Sequence, residues 1–82
     1  MKHIAAIKMT LEFPFIYAEF ENGEKYRYDI NHMVPERPEY KQLLNEEFFY
    51  KGKLSCGGWA IEWDDFVDMH ADGIIMFGEK IE

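Results

Sequence analysis

The sequence predicts an α+β domain: a small, mainly antiparallel sheet in β-β-β-α-β-β order with one or two short helices. Three observations carry this. Apolar and polar residues alternate with a period of two on both sides of Asn22-Gly23, and after residue 31 the apolar spacing lengthens to that of a helix. The chain has 82 residues, room for one modest core and no second, so residues 1–82 are read as one domain.

Ile7, Met9, Leu11 and Phe13 alternate with Lys8, Thr10 and Glu12, and residues 3–11 read as the first strand. Pro14 has no N–H for a ladder and marks the start or edge of a second strand, residues 15–21. Glu21-Asn22-Gly23-Glu24 is the strongest local signal, because Asn and Gly tolerate the positive φ of a two-residue type I′ turn. Such a turn pairs Glu21 with Glu24, Glu19 with Tyr26, Tyr17 with Tyr28 and Phe15 with Ile30. In that register the tyrosines share one face, and Ile16, Ala18 and Phe20 lie on the other.

Asn31 is placed to cap a short turn. Further on, Pro38 suits a first helical position, and Tyr40, Leu43 and Leu44 at i, i+3, i+4 make an apolar helical stripe. Asn45 can cap a second turn, Glu46-Glu47-Phe48-Phe49, whose acids suit a helix N-terminus. Lys53 to Cys56 reads as a strand, Gly57-Gly58 as a turn, and Trp59, Ile61 and Trp63 as a further strand. A helix competes there, since Trp59, Trp63, Phe66 and Val67 fall at i, i+4, i+7, i+8. The flanking glycines and the Trp-x-Ile-x-Trp pattern favour the strand. Residues 69–77 read as a helical turn or two, limited by Gly73 and Gly78.

Hydrophobic residues at 48% and aromatics at 17% exclude a disordered chain, and no apolar run approaches the ~20 residues of a membrane-spanning helix. The net charge of −7 is uneven: residues 1–44 hold six bases and seven acids, residues 45–82 three and nine. Glu62, Asp64, Asp65, Asp68 and Asp72 follow one another without a Lys or Arg between them. This balance runs against nucleic-acid binding by the chain alone and favours a basic protein partner. The opening Met1-Lys2-His3 leads into a run broken at Lys8 and Thr10, unlike a secretory signal. With a single cysteine there is no internal disulfide, and a cytoplasmic location is expected. Nothing adjacent to Cys56 supplies a base, so a buried structural thiol is expected.

The most suggestive chemical pattern is Asp68-x-His70-x-Asp72-Gly73 with Ile75 and Glu79, which overlays the ligand positions of a calcium loop apart from the histidine. Only three residues follow Glu79, too few for the exit helix, and a solvated acidic turn is the expectation; no metal and no cofactor is called for. His3, His32 and His70 lack zinc spacing with Cys56 and are expected at the surface. Asp64, Asp65 and Asp68 would need separated pKa values for acid–base work, and a charged turn is the simpler reading. Trp59, Trp63, Tyr26, Tyr28, Phe48 and Phe49 are expected mostly in the core. Ile16, Ala18 and Phe20, with Ile4 and Ala6, would form an uncovered apolar face for self-association or a protein partner if helices cover one side of the sheet.

Three stretches, Phe20-Glu21-Asn22-Gly23-Glu24 leading to Asp29-Ile30, Leu43-Leu44-Asn45-Glu46-Glu47-Phe48, and Gly57-Gly58-Trp59-Ala60-Ile61-Glu62-Trp63 leading to Val67-Asp68, resemble in order and spacing the bacterial family called domain of unknown function 2442. The likeness spans residues 3–75. It implies a small α+β domain, supports the strand at 59–63, and gives Asn22, Gly23, Trp63 and Asp68 structural roles. Phe66 departs from the glycine expected after the tryptophan, so the turn there is expected to differ. Some relatives carry an added helix-turn-helix domain and a DNA-binding label, which this chain is too short to share, and some short ones look like partners in toxin–antitoxin pairs. The family supplies no catalytic residues to carry over. The expected function is a non-enzymatic interaction or regulatory module; the alternative is a ligand-binding or enzymatic domain using the acidic segment after Trp63.

Overall fold

In chain order the elements are strands β1 (Ala6–Glu12), β2 (Phe15–Phe20) and β3 (Lys25–Asp29), a one-turn helix α1 (Ile30–Met33), a 3-10 helix (Pro38–Leu44), a one-turn helix α2 (Glu46–Phe49), strand β4 (Lys53–Ser55), a 3-10 turn (Cys56–Gly58), strands β5 (Ala60–Glu62) and β6 (Asp68–His70), helix α3 (Ala71–Phe77) and strand β7 (Glu79–Lys80). They come from a computed structural model that describes residues 4–35, 37–64 and 66–81. The α+β class and the antiparallel pairing are as the sequence predicts. The strands divide, however, into two sheets, ordered β1-β2-β3-β7 and β4-β5-β6. Strands β6 and β7 have three and two residues, too few for a period of two to show in sequence.

The hairpin at Asn22-Gly23 forms, but with a loop one residue longer than expected. Phe20 N–H donates to the Glu24 carbonyl at 2.9 Å, Gly23 N–H donates to the Phe20 carbonyl at 2.9 Å, and Gly23 takes φ +89°. Glu21-Asn22-Gly23 is thus a three-residue loop with glycine in the left-handed position. The Asn22 side chain tightens it by accepting from Glu24 N–H at 3.0 Å. Ile16 consequently pairs with Tyr28 and Ala18 with Tyr26, one residue away from the two-residue register.

A slip of one residue exchanges the faces of one strand relative to the other. Tyr26 and Tyr28 therefore lie on the same side as Ile16, Ala18 and Phe20, and that side is the core: the last three are 0%, 3% and 0% exposed. They cannot be the interface expected of them, and Ile4 and Ala6 are buried too. The opposite face presents Lys8, Thr10, Tyr17, Glu19, Lys25 and Arg27 and suits water. In β1 a register shift between Ala6 and Lys8 turns Ile7 outward, while Met9 and Leu11 lean on the core.

Asp29, not Asn31, caps α1, its Oδ1 accepting from Asn31 N–H at 2.9 Å. The segment read as an apolar helix is 3-10. Three residues per turn align Tyr40 with the fully buried Leu43 and swing Leu44 towards solvent. Asn45 caps α2 as the sequence indicates, accepting from Phe48 N–H at 3.0 Å. Residues 60–62 are strand, which resolves the competition with a helix.

The second sheet packs against the first at a glycine. Gly58 takes φ +96°, and a Cβ there would overlap the Ala6 carbonyl oxygen, so only glycine admits this approach to β1. Gly52 lies under the Trp63 indole, whose Nε1 donates to the Phe49 carbonyl at 2.9 Å. Between the sheets Phe20, Phe49, Ile16, Ile30, Leu43, Ile61 and Ile74 are fully buried. Helix α3 contains Gly73 rather than stopping at it, and ends at Gly78, whose N–H donates to the Ile74 carbonyl at 2.8 Å.

Candidate functional site

The acidic segment does not assemble into a centre. Asp68 and His70 stand on β6, Asp72 and Gly73 belong to α3, and Glu79 on β7 pairs with Arg27 at 2.8 Å. A calcium loop wraps its ligands round one point, whereas a strand followed by a helix spreads them. Among the described residues no group of three His, Cys, Asp or Glu side chains is placed to hold a metal ion. The Asp64 carboxylate is engaged locally, its Oδ1 accepting from both Phe66 and Val67 N–H at 2.8 Å. Asp68 is exposed and offers its backbone carbonyl to the Tyr40 hydroxyl at 3.1 Å. Asp65 and His3 lie outside the described residues, and His32 and His70 are at the surface.

One other expectation needs correction. Cys56 is exposed rather than buried, in the left-handed backbone region at φ +54° where the chain turns towards Gly58. Of the six aromatics expected mostly in the core, Tyr26, Tyr28, Phe49 and Trp63 are buried and Phe48 is half-buried, while Trp59 is exposed. Phe66 is 90% exposed on the turn that Asp64 holds.

A concavity lies elsewhere, on the arginine side of the molecule. Strand β7 reaches Arg27 and stops, because the chain arrives there from α3 through Gly78. Beside the last residues of β3 this opens a cleft of about 610 Å³ lined by Phe15, Arg27, Asp29, His32, Arg37 and Phe77, among others. Arg27 and Arg37 are the only two arginines of the chain, and both line it. Each guanidinium lies over a phenyl ring, Arg27 at 5.1 Å from the Phe15 centroid and Arg37 at 5.2 Å from that of Phe77. Such stacking covers one face of the cation and restricts its plane, while its N–H edges stay available.

A second hollow, of about 330 Å³, adjoins the first and shares Tyr28, Arg37 and Phe77 with it. Its remaining lining includes Tyr40, Met69, His70, Asp72 and Met76, so part of the acidic segment does reach it. Burial raises the Tyr40 phenol above its ordinary pKa; the Glu39 carboxylate adds to this and the Arg37 guanidinium opposes it. Met76 and Phe77 are each 54% exposed on the rim. Forked donors, ring faces and a flexible thioether are equipment for recognition. Sequence reading missed this site because its parts come from β2, β3, α1, the 3-10 entry and α3. The one available signal was that both arginines lie in the first half of an acidic chain.

A family model described as protein of unknown function (DUF2442) matches residues 4–79. No curated protein and no solved structure matches the chain.

Proposed function

The chain belongs to the DUF2442 family, and we propose that it acts as a non-enzymatic protein-interaction or regulatory module that docks a partner on the face around Arg37 and Phe77. One observation carries this reading: two adjoining hollows share a stacked Arg–Phe pair, with Met76 and Phe77 half-exposed at the rim. Exposed aromatic, methionine and arginine side chains grouped round a concavity are the composition of interface hot spots. The apolar face of the first sheet, with Ile16, Ala18 and Phe20, is filled by the molecule's own core. The dispersal of Asp64, Asp68 and His70 removes support from an enzymatic use of the acidic segment, whereas the docking reading rests on groups that do converge.

Met76→Glu puts a charge at the rim without entering the core. Quantitative affinity capture from the source cells is expected to enrich a specific protein with the wild type and to lose it with this variant, at an unchanged melting temperature. Light scattering across a concentration series supplies the self-association arm, since a dimer abolished by Met76→Glu identifies a second copy as the partner. Identical captured sets and identical molar masses for the two proteins would refute the docking face.

A further inference from the structure

We infer that the larger cleft is a carboxylate-recognition site, taking a carboxylate carried on an apolar body. The inference rests on reading this face as a recognition surface and names the chemistry it reads. Arg27 already holds a carboxylate, with its Nη2 2.8 Å from Glu79 Oε1, so its donor edge has the reach such a group needs. A guanidinium has five N–H donors, and this contact uses one edge. The Glu79 side chain is 64% exposed and comes from a two-residue edge strand, so it can swing into water and give up its place.

The other charges of the cleft fit an exchange of this kind. Asp29 also lines the cleft, where its Oδ1 is engaged as the cap of α1 by Asn31 N–H at 2.9 Å. Glu39 stands exposed in the first turn of the 3-10 helix. An incoming carboxylate that displaces Glu79 leaves the charge beside Arg27 balanced and gains Arg37 as a second cation. Tyr28, Met33 and Phe77 supply the wall for an apolar body. Because the phenyl rings already restrict both guanidiniums, less side-chain freedom is lost when the ligand binds. A cleft of this size falls in the range of small-ligand sites. The carboxylate can come from a free small acid or from the terminus of a partner chain, and matched probes separate the two.

Titration of the ¹⁵N-labelled full chain with N-acetylphenylalanine and with N-acetylphenylalaninamide compares one apolar body with and without its carboxylate. The acid is expected to shift the amide signals of His32 and Gly78, and the amide to bind about tenfold more weakly. Arg37→Gln should weaken the acid by about tenfold. Glu79→Gln should tighten it several-fold, a gain that no loss of folding can imitate. Phenylacetate matching N-acetylphenylalanine supports a free acid as the source, and a preference for the latter supports a chain terminus. The inference is overturned if acid and amide bind alike, if neither shifts the cleft signals, or if Glu79→Gln leaves the affinity for the acid unchanged. Failure here while Met76→Glu still abolishes capture would remove the carboxylate and leave the docking face standing.

Discussion

Glu24 and Lys80 show how much a single exposed group can be tuned by its position. Lys80 Nζ lies 2.8 Å from Glu24 Oε2, and Asn22 Nδ2 donates to Glu24 Oε1 at 2.9 Å. The hydrogen bond from Lys80 first, and that from Asn22 second, lower the Glu24 pKa, and the bond to Glu24 raises that of Lys80. For a carboxylate with a lowered folded pKa, the stabilisation is present above the unfolded pKa and is lost as pH falls through the folded one. For Lys80 it is present below the unfolded pKa and is lost as pH rises through the raised folded one. Glu24→Gln should therefore lower the melting temperature at neutral pH, with the difference from wild type shrinking in acid below about pH 4 and in high salt. A gap that persists unchanged into strong acid would show that the carboxylate's charge is not what holds β7 to the hairpin. At this scale the sequence is legible where a side chain serves its own neighbourhood, as Asn45 does in capping α2. It is silent where partners are remote: nothing in the separation of Arg37 from Phe77 announces their stacking.

Among the elements, the loop between β2 and β3 decides most. Asn22-Gly23 announced a reversal, but two- and three-residue loops use the same residue types, and the choice between them sets every pair downstream. Burial settles it: the three-residue loop gathers Ile16, Ala18, Phe20, Tyr26 and Tyr28 on one side, whereas the shorter loop would divide apolar rings between both faces. An alternating strand declares that it has two faces and leaves their partners to the rest of the chain. The glycines of the two turns differ in a measurable way. Gly23 has positive φ and open space around it, so Gly23→Ala should cost about 1 kcal/mol from backbone conformation alone. Gly58 has positive φ and the Ala6 backbone against it, so Gly58→Ala must also push the two sheets apart and should cost about 2 kcal/mol or more. Urea midpoints of the two variants test this, and equal losses would mean that the approach of Gly58 to β1 is easily relaxed.

For the whole molecule, the question is whether two small sheets make one cooperative unit. A three-stranded sheet with strands of three residues has little independent stability, and its buried residues Ile61, Trp63 and Met69 belong to the same core cluster as Ile16, Phe20 and Tyr28 of the first sheet. Sequence could not show this partition, because β6 and β7 are too short to show a period and the arrangement follows from the close approach of Gly58 to β1. A shared core has a testable consequence. Both tryptophans, Trp59 and Trp63, flank β5, so their fluorescence follows the surroundings of the second sheet. Ile16→Ala, in β2 of the first sheet and fully buried, should cost about 2–5 kcal/mol. If the sheets unfold together, this variant lowers the tryptophan-detected urea midpoint as far as it lowers the backbone circular-dichroism midpoint, and Ile61→Ala does the same from the other side. A tryptophan transition left at its wild-type position by Ile16→Ala would mean separate units. The Arg37–Phe77 face, assembled from elements on both sides of the core, would then lack the rigid support that recognition requires.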